Sequence, residues 1–228
     1  MNGVSHPYSI KIPLAVLALG TVVSWVTPID QDVARWFFDA KLMTWPSGDL
    51  ALFKWANRYG QIVGWVPALI AILSLGASFW NSRLLRFRKP ALFLILLLAL
   101  GPGLFVNVVL KDHWGRPRPN QTEEFGGRFH YQPAWFKSPA GDKRTSFPSG
   151  HASMGFFFVA PYFILLARRR RAAHWALASG IVFGVFVGLA RIAKGAHWSS
   201  DVLWSFGVVY LVAYALARWL QLNQDRAS

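Results

Sequence analysis

Three short polar clusters carry the residues whose types and spacing could do chemistry. They read 111-KDHWGRPRP-119, 147-FPSGH-151 and 191-RIAKGAHWSSD-201. Each cluster stands at one end of a long apolar run, so the three can converge on one face of a helical bundle. Cations and histidines dominate them, and this combination favours chemistry on an anionic group.

The fixed cations of these clusters are suited to phosphate. Arginine presents a planar fork of N–H donors that matches phosphate oxygens, and lysine adds a compact charge. Ser149 and Gly150 stand just before an apolar helix, where backbone N–H groups can point at an anion. We therefore predict a phosphate-binding site with residues from all three clusters: Lys111, Arg118, Ser149, Gly150 and Arg191.

Two histidines complete a set of groups for phosphoryl transfer. His197 and Asp201 are four residues apart, which places both side chains on one face of a helix. The carboxylate can hold one ring nitrogen as N–H and leave the other free to attack. His151, at a helix start, is placed to protonate a leaving alkoxide. The catalytic residues predicted are thus His197, His151 and Asp201.

We predict no metal ion and no cofactor. The nearby carboxylates are outnumbered by cations, whereas divalent ions favour clustered oxygen ligands. The chain has no cysteine, which excludes disulfides, thiolate catalysis and Cys-ligated metals. Five further cations could steer an anionic head group or simply be solvated: Arg116, Arg128, Lys143, Arg144 and Lys194.

The elements that must position these clusters are membrane helices. Of 228 residues, 54% are hydrophobic, with 12 Trp and 18 Phe, and the mean hydropathy is +0.32. These values are typical of a protein whose solvent is a bilayer, which a helix of about 20 residues crosses. Six apolar runs stand out: Ile12–Val26, Ile62–Trp80, Ala91–Leu110, Ala152–Ala167, Trp175–Ala190 and Val202–Leu220.

We predict an all-α fold, a six-transmembrane-helix bundle that forms a single domain over residues 1–228. Between the first and second runs, aromatic residues recur near helical spacing in Thr27–Gln61. This pattern favours amphipathic helices that lie at the membrane interface. Gly48, at the centre of Ser47–Asp49, marks a break between two of them. The first run lacks a clean cleavage site after it and is interpreted as a retained span.

A formal net charge of +14 raises the question of nucleic-acid binding. Much of that charge, however, sits in the short clusters 83-RLLRFRK-89 and 168-RRRR-171, between apolar runs. Dense basic clusters of this kind mark cytoplasmic loops. We therefore predict no nucleic-acid partner and a multi-pass protein of the cell (inner) membrane. The polar clusters would face the periplasm or exterior, and no obligate protein partner is inferred.

The three polar clusters resemble the signature motifs of the type 2 phosphatidic acid phosphatase superfamily. That superfamily includes lipid phosphate phosphatases, bacterial acid phosphatases and vanadium haloperoxidases, and six predicted helices agree with its membrane branch. Three motifs in order, each at a helix end, make the resemblance specific. The matching residues are Lys111, then after six residues Arg118-Pro119; Pro148-Ser149-Gly150-His151; and Arg191, then after five residues His197 and after three Asp201.

The resemblance implies a role for each matching residue. His197 would become the phosphohistidine, with Asp201 as its partner and His151 as the general acid, and the five cradle residues would bind phosphate. Ala190 departs from the pattern, because the family often has Ser before the third-motif arginine. This departure concerns one hydroxyl contact and leaves the mechanism unchanged.

The function predicted is metal-independent hydrolysis of a phosphate monoester or diphosphate on a membrane lipid. Candidate substrates are undecaprenyl diphosphate, phosphatidylglycerophosphate, phosphatidic acid and lipid A. The stretch 123-EEFGGRFHYQPAW-135 resembles stretches in some bacterial lipid A phosphatases of the superfamily. A lipid phosphotransferase would use the same intermediate, and the sequence leaves it open. An anion transporter is disfavoured because the charges converge near the membrane surface and not at its midplane.

Overall fold

The computed structural model describes residues 8–138 and 144–222, and over these ranges the fold is all-helical. Two isolated bridges, Asp39–Thr44 and Thr122–Phe129, are its extended pairings. The α-helices are α1 (Lys11–Val26), α2 (Ile29–Arg35), α3 (Ala51–Val63), α4 (Trp65–Ala77), α5 (Arg88–Leu98), α6 (Asp112–Trp114), α7 (Gly150–Phe156), α8 (Ala160–Leu165), α9 (Arg170–Ala193) and α10 (Ser199–Trp219). Short 3-10 turns are Pro46–Asp49, Ser82–Phe87, Pro119–Gln121, Glu123–Phe125 and Phe157–Val159.

The third apolar run changes helical geometry along its length. α5 passes directly into a π-helix, Ala99–Lys111, which contains Pro102. The Nδ2 atom of Asn107 donates a hydrogen bond to the carbonyl oxygen of Pro102 at 2.7 Å. A side chain thus satisfies a backbone carbonyl at membrane depth, where water would not reach it. The π-helix ends at Lys111, at the start of the first polar cluster.

The helices account for four or five spans by length and composition. Among the described residues, four helical stretches qualify, and the bent pair α1 and α2, which meet at 80°, would make a fifth. The predicted fourth span, Ala152–Ala167, forms the shorter apolar stretch Gly150–Leu165. The second span begins earlier than predicted, because α3 and α4 together form one stretch, Ala51–Ala77. By helix length and composition alone, the described residues therefore contain fewer membrane spans than the six predicted.

The surface of the bundle is apolar to a degree that water would not favour. Trp80 is 87% exposed and Trp175 is 75% exposed, and leucine, isoleucine and valine side chains cover much of α1 and α4. A contiguous apolar surface of this extent marks contact with a membrane. An apolar crevice of about 670 Å³ between α1, α9 and α10 lies on the same surface, and its lining includes none of the predicted site residues.

The core of the bundle forms where α7, α9 and α10 pack together. Phe156 of α7 is buried against this core, and its ring occupies the space that a Cβ on Gly184 of α9 would need. Small residues at such crossings let two helix backbones approach closely. The close packing brings the start of α7 and the end of α9 to the same end of the molecule as the start of α10.

Candidate active site

The three polar clusters meet at one end of the bundle. The charge of Lys111, at the end of the π-helix, interacts with those of Arg118, Arg191 and Asp201. A Cβ built on Gly150 would lie 3.4 Å from the Lys111 Nζ atom. Residues from four helix ends are therefore neighbours, as the sequence predicts. His151 belongs to the same group, because it interacts electrostatically with Lys111, Arg118, Arg191 and His197.

His197 is almost completely buried and is held by a backbone carbonyl. Its Nδ1 atom lies 2.7 Å from the carbonyl oxygen of Ser146. A carbonyl oxygen only accepts hydrogen bonds, so the proton of the neutral ring resides on Nδ1. The Nε2 atom then carries a free lone pair, which is the form required for attack on phosphorus.

Asp201 is the second neighbour of the His197 ring, at a longer distance. Its Oδ2 atom lies 3.5 Å from Nδ1 of His197. The same carboxylate accepts hydrogen bonds from the Ser146 hydroxyl at 2.6 Å and the Trp198 backbone N–H at 2.8 Å, and it pairs with Arg116 at 2.5 Å. The sequence predicts that Asp201 orients the ring directly. In the structure, the Ser146 carbonyl fixes the tautomer of the His197 ring, and Asp201 supplies negative charge beside it.

The surroundings of His197 favour its neutral form. Burial, together with the positive charges of Arg191 and Lys111, lowers the pKa of His197 to about 4. The nearby carboxylate of Asp201 acts in the opposite direction. Burial is the larger effect, because a charged imidazole loses its hydration in the interior. At neutral pH the ring is therefore uncharged and able to act as a nucleophile.

Ser149 begins α7 and is fully buried. Its Oγ atom accepts a hydrogen bond from the backbone N–H of Ala152 at 3.4 Å, as an N-cap residue does. Its backbone N–H donates to the carbonyl oxygen of Asp201 at 3.3 Å, so this donor has a protein acceptor. Of the two N–H groups that the sequence predicts for anion binding, the one at Ser149 is therefore already engaged by the protein.

Arg191 reaches the site from the last turn of α9. Its Nη1 atom donates to the side-chain oxygen of Asn57 at 3.0 Å, and the Asn57 amide donates to the carbonyl oxygen of Ala190 at 3.1 Å. The Nε atom of Arg191 is buried and has no hydrogen-bond partner within the described protein. A buried guanidinium donor without an acceptor suits the oxygen of a bound anion. Arg118, across the site, donates to Thr145 at 3.1 Å.

Arg116 does not have the steering role that the sequence leaves open for it. Its side chain is fully buried and pairs with two carboxylates, Asp201 and Asp30. Its Nε atom donates to the carbonyl oxygen of Gln132 at 2.8 Å. Gly115 and Pro117 on either side of it are also buried.

The turn that carries His197 depends on Gly195. This glycine follows α9 with φ of 64°, in the left-handed region that other residues disfavour. A Cβ at this position would lie 2.4 Å from the indole of Trp45. Trp198 then packs in a buried aromatic cluster with Phe125, and its indole N–H donates to the carbonyl oxygen of Pro117 at 2.8 Å. The turn is thus fixed from both sides of His197.

Comparison with known proteins identifies the family of this site. The family model described as the PAP2 superfamily matches residues 91–225, which include all three clusters. A lipid A 4'-phosphatase from Francisella tularensis subsp. novicida (strain U112) is 37% identical over 172 residues, covering 74% of this chain and 76% of that protein. The chain belongs to the PAP2 superfamily. It is a membrane-spanning lipid phosphatase of that superfamily.

Two further proteins are similar to this PAP2 phosphatase. A lipid A 4'-phosphatase from Rhizobium leguminosarum is 37% identical over 127 residues, covering 52% of this chain and 53% of that protein. A solved transmembrane PAP2-type phosphatidylglycerolphosphate phosphatase from Bacillus subtilis aligns with 95% of this chain and 98% of its own, at 19% identity and a TM-score of 0.46.

Two of the cations that the sequence leaves open for steering an anion stack on an aromatic ring of the PAP2 phosphatase. Arg128 and Arg144 stack on the ring of Phe129, with guanidinium carbons 5.3 and 4.3 Å from its centroid. Lys194 is exposed, and Lys143 lies outside the described residues. Among residues 8–138 and 144–222, no group of three or more His, Asp or Glu side chains is arranged to hold a metal ion.

Three residues that contact the site were not found from the sequence. Asp30, Asn57 and Ser146 hold Arg116, Arg191 and the His197 ring, respectively. Asp30 and Asn57 lie before the region that matches the family model. No sequence pattern distinguishes Asp30 from Asp32 and Asp39 in the same segment, because its burial is seen only in the structure. The role of Ser146 involves its backbone carbonyl, which no side-chain pattern reveals.

Proposed function

We propose that this phosphatase hydrolyses a phosphate monoester on a membrane lipid through a phosphohistidine formed on His197. The hydrogen bond from Nδ1 to the Ser146 carbonyl carries the proposal, because it leaves the Nε2 lone pair free. Nucleophilic catalysis divides one difficult displacement into two easier steps. Residues 1–228 act as one domain in this scheme, since Asp30 and Asn57 contact arginines of the matched region.

In the first step, Nε2 of His197 attacks phosphorus and the bond from phosphorus to the lipid oxygen breaks. His151 gives its proton to that oxygen, so the lipid leaves as an alcohol. The bound phosphoryl dianion favours the protonated form of His151. Lys111, Arg118 and Arg191 hold the equatorial phosphoryl oxygens, where negative charge is greatest in the transition state.

In the second step, water attacks the phosphohistidine. Neutral His151 takes a proton from that water, the bond between nitrogen and phosphorus breaks, and inorganic phosphate is released. His197 returns to its neutral form with the proton still on Nδ1. A phosphotransferase would differ only here, because a lipid hydroxyl would replace water.

Lipid A is the substrate we propose. The lipid A 4'-phosphatases from Francisella and Rhizobium are the relatives that support this choice. The stretch 123–135 also supports it, because Tyr131 and Gln132 hydrogen-bond to Asp30 and Arg116 beneath the site. A stretch that resembles lipid A phosphatases is thus an integral part of the site's supporting layer.

We propose six membrane crossings, with the site facing the periplasm from the inner membrane. The helical path that begins near Arg88 ends at Lys111, and α9 begins at Arg170 and carries Arg191 in its last turn. From Arg170 to Arg191 a helix rises about 32 Å, which matches the hydrocarbon core. The basic clusters and the site are therefore at opposite ends of the same helices, and dense basic clusters stay in the cytoplasm. The α1 and Gly150–Leu165 stretches supply the remaining crossings, with part of Ala51–Val63 lying at the interface.

The decisive experiment measures phosphate release by purified protein in detergent from lipid A, phosphatidic acid, phosphatidylglycerophosphate and undecaprenyl diphosphate. We expect the highest kcat/KM on lipid A, no loss in EDTA, and inhibition by vanadate, which mimics the transferring phosphoryl group. His197→Ala should lower kcat at least about 1,000-fold, and His151→Ala about 100- to 10,000-fold.

The matched control is His174→Ala, an exposed histidine at the opposite end of α9, which should leave kcat unchanged. A labelled acceptor lipid in the same assay distinguishes transfer from hydrolysis. An active His197→Ala protein, or activity that EDTA abolishes and magnesium restores, would contradict the mechanism.

A further inference from the structure

Asp30 stands outside the three polar clusters and yet has a fully buried carboxylate. It lies in α2, before the region that matches the family model. Its side chain is completely inaccessible and faces the guanidinium of Arg116, with Oδ2 2.8 Å from Nη2. Ser200 donates to it through its backbone N–H at 2.8 Å, and Tyr131 donates through its hydroxyl at 3.1 Å. The guanidinium and these two donors therefore hold the carboxylate in one position.

Arg116 lies between Asp30 and the carboxylate of the predicted site. One guanidinium nitrogen contacts Asp30, and the other lies 2.5 Å from Oδ1 of Asp201. All three side chains are 0% exposed. Two carboxylates and one guanidinium give this buried cluster a net charge of −1. A charge buried in this way acts on its neighbours with little screening by water.

The neighbour that needs such a charge is His197. Its ring becomes cationic once Nε2 is bonded to phosphorus while Nδ1 keeps its proton. Arg191 and Lys111 oppose positive charge on this ring, whereas Asp201 favours it. If Arg116 paired with Asp201 alone, the two charges would largely cancel at the ring. With Asp30 sharing the guanidinium, one negative charge remains for the phosphohistidine.

We propose that Asp30 is a positioning residue for the phosphotransfer step, acting through Arg116 and Asp201 to leave one net negative charge beside His197. This inference rests on the proposed phosphohistidine mechanism. It extends the active site to α2, which none of the three motifs includes. Asp30 does not touch the phosphoryl group, so its removal should affect the chemical step and leave phosphate binding intact.

The test compares Asp30→Asn with Asp32→Asn. Both substitutions remove one carboxylate charge from α2, but Asp32 is exposed and pairs with Arg35 at the surface. We expect Asp30→Asn to lower kcat by about 10- to 100-fold, the effect of one opposite charge at this range. The inhibition constant of inorganic phosphate should stay within about twofold, because the cradle is unchanged. Asp32→Asn should match the wild-type protein in both measurements.

A double variant separates charge balance from structure. Asp30→Asn leaves Arg116 without one of its two carboxylates, whereas D30N/R116Q restores a net charge of −1 at Asp201. We therefore expect the kcat of the double variant to be at least about tenfold higher than that of D30N. A purely structural role for Asp30 predicts that the double variant is as poor as D30N or worse.

Each outcome decides the matter. An unchanged kcat in folded D30N overturns the proposal, and so does a parallel loss of kcat and phosphate inhibition. If D30N is not recovered as a monodisperse protein, the proposal requires D30N/R116Q to be folded and active, and its failure overturns it. Activity of His197→Ala would instead contradict the phosphohistidine mechanism itself, so the two failures are distinguishable.

Discussion

The Nδ1 atom of His197 donates its hydrogen bond to the carbonyl oxygen of Ser146, 2.7 Å away. A backbone carbonyl keeps the same acceptor character at every pH, unlike a carboxylate. The nucleophile of the proposed mechanism is therefore held in one tautomer by a group that does not titrate. Asp201 is free to act through its charge.

The first prediction concerns the protonation of His197. Because burial lowers the pKa of this ring from its ordinary value of 6.5 to about 4, it should remain neutral as the pH falls toward about 5. Nitrogen-15 NMR of histidine-labelled protein in detergent would show Nδ1 protonated and Nε2 unprotonated. The difference spectrum with His197→Gln assigns the signal. A ring that titrates near 6.5 would contradict this prediction.

The lowered pKa of His197 also affects the stability of the folded protein. Between about pH 4 and 6.5 the unfolded chain binds a proton at His197 that the native protein does not. The free energy of unfolding should therefore rise with pH across this window and fall on acidification. Thermal melts of wild-type protein and His197→Gln test this, since the variant should lose that part of the pH dependence.

The second prediction concerns Asn57, which holds Arg191 and the Ala190 carbonyl. Asn57→Ala should lower kcat/KM about 10- to 100-fold, because a hydrogen bond to a charged group is lost in the interior. The inhibition constant of inorganic phosphate should rise by a similar factor. Arg58→Ala, at the exposed next position, is the control and should change neither value. Unchanged phosphate inhibition in folded Asn57→Ala would show that Asn57 does not position Arg191.

The third prediction concerns the turn before His197. Gly195→Ala forces a side chain into the left-handed region and against the Trp45 indole. We expect it to reduce the free energy of unfolding by about 1–3 kcal/mol or more and to lower kcat. Gly76→Ala is the control, because a Cβ there meets no atom within 4 Å. Equal melting temperatures for the two variants would argue against this account of the turn.

The fourth prediction concerns sidedness. The chain has no cysteine, so single cysteines at Lys137 and Ser82, both exposed, can be labelled without background. With an impermeant thiol reagent on cells whose outer membrane is permeabilised, Lys137→Cys should react and Ser82→Cys should react only after lysis. The reverse pattern would place the site in the cytoplasm and remove periplasmic lipids from the substrate list.

The sequence by itself determined the family and pointed to the residues that meet at the candidate site. Lys111, Arg118, His151 and His197 are recognisable because their spacing within short segments is local information that a single sequence contains. The apolar runs likewise predict helices, since a membrane leaves few alternatives for the backbone. The number of membrane spans was less well determined by the sequence, because the segment that begins at Gly150 forms a helix shorter than one that crosses the whole membrane.

Only the tertiary structure decided which groups support the site. Arg116 meets Asp30 across 86 positions of sequence, and Arg191 meets Asn57 across 134. Such contacts depend on how α2 and α3 pack on α9 and α10, and no periodicity in a single sequence specifies that packing. The Ser146 carbonyl is invisible to side-chain patterns for a different reason, because every residue has one. Tertiary packing alone brings this carbonyl within hydrogen-bonding distance of His197.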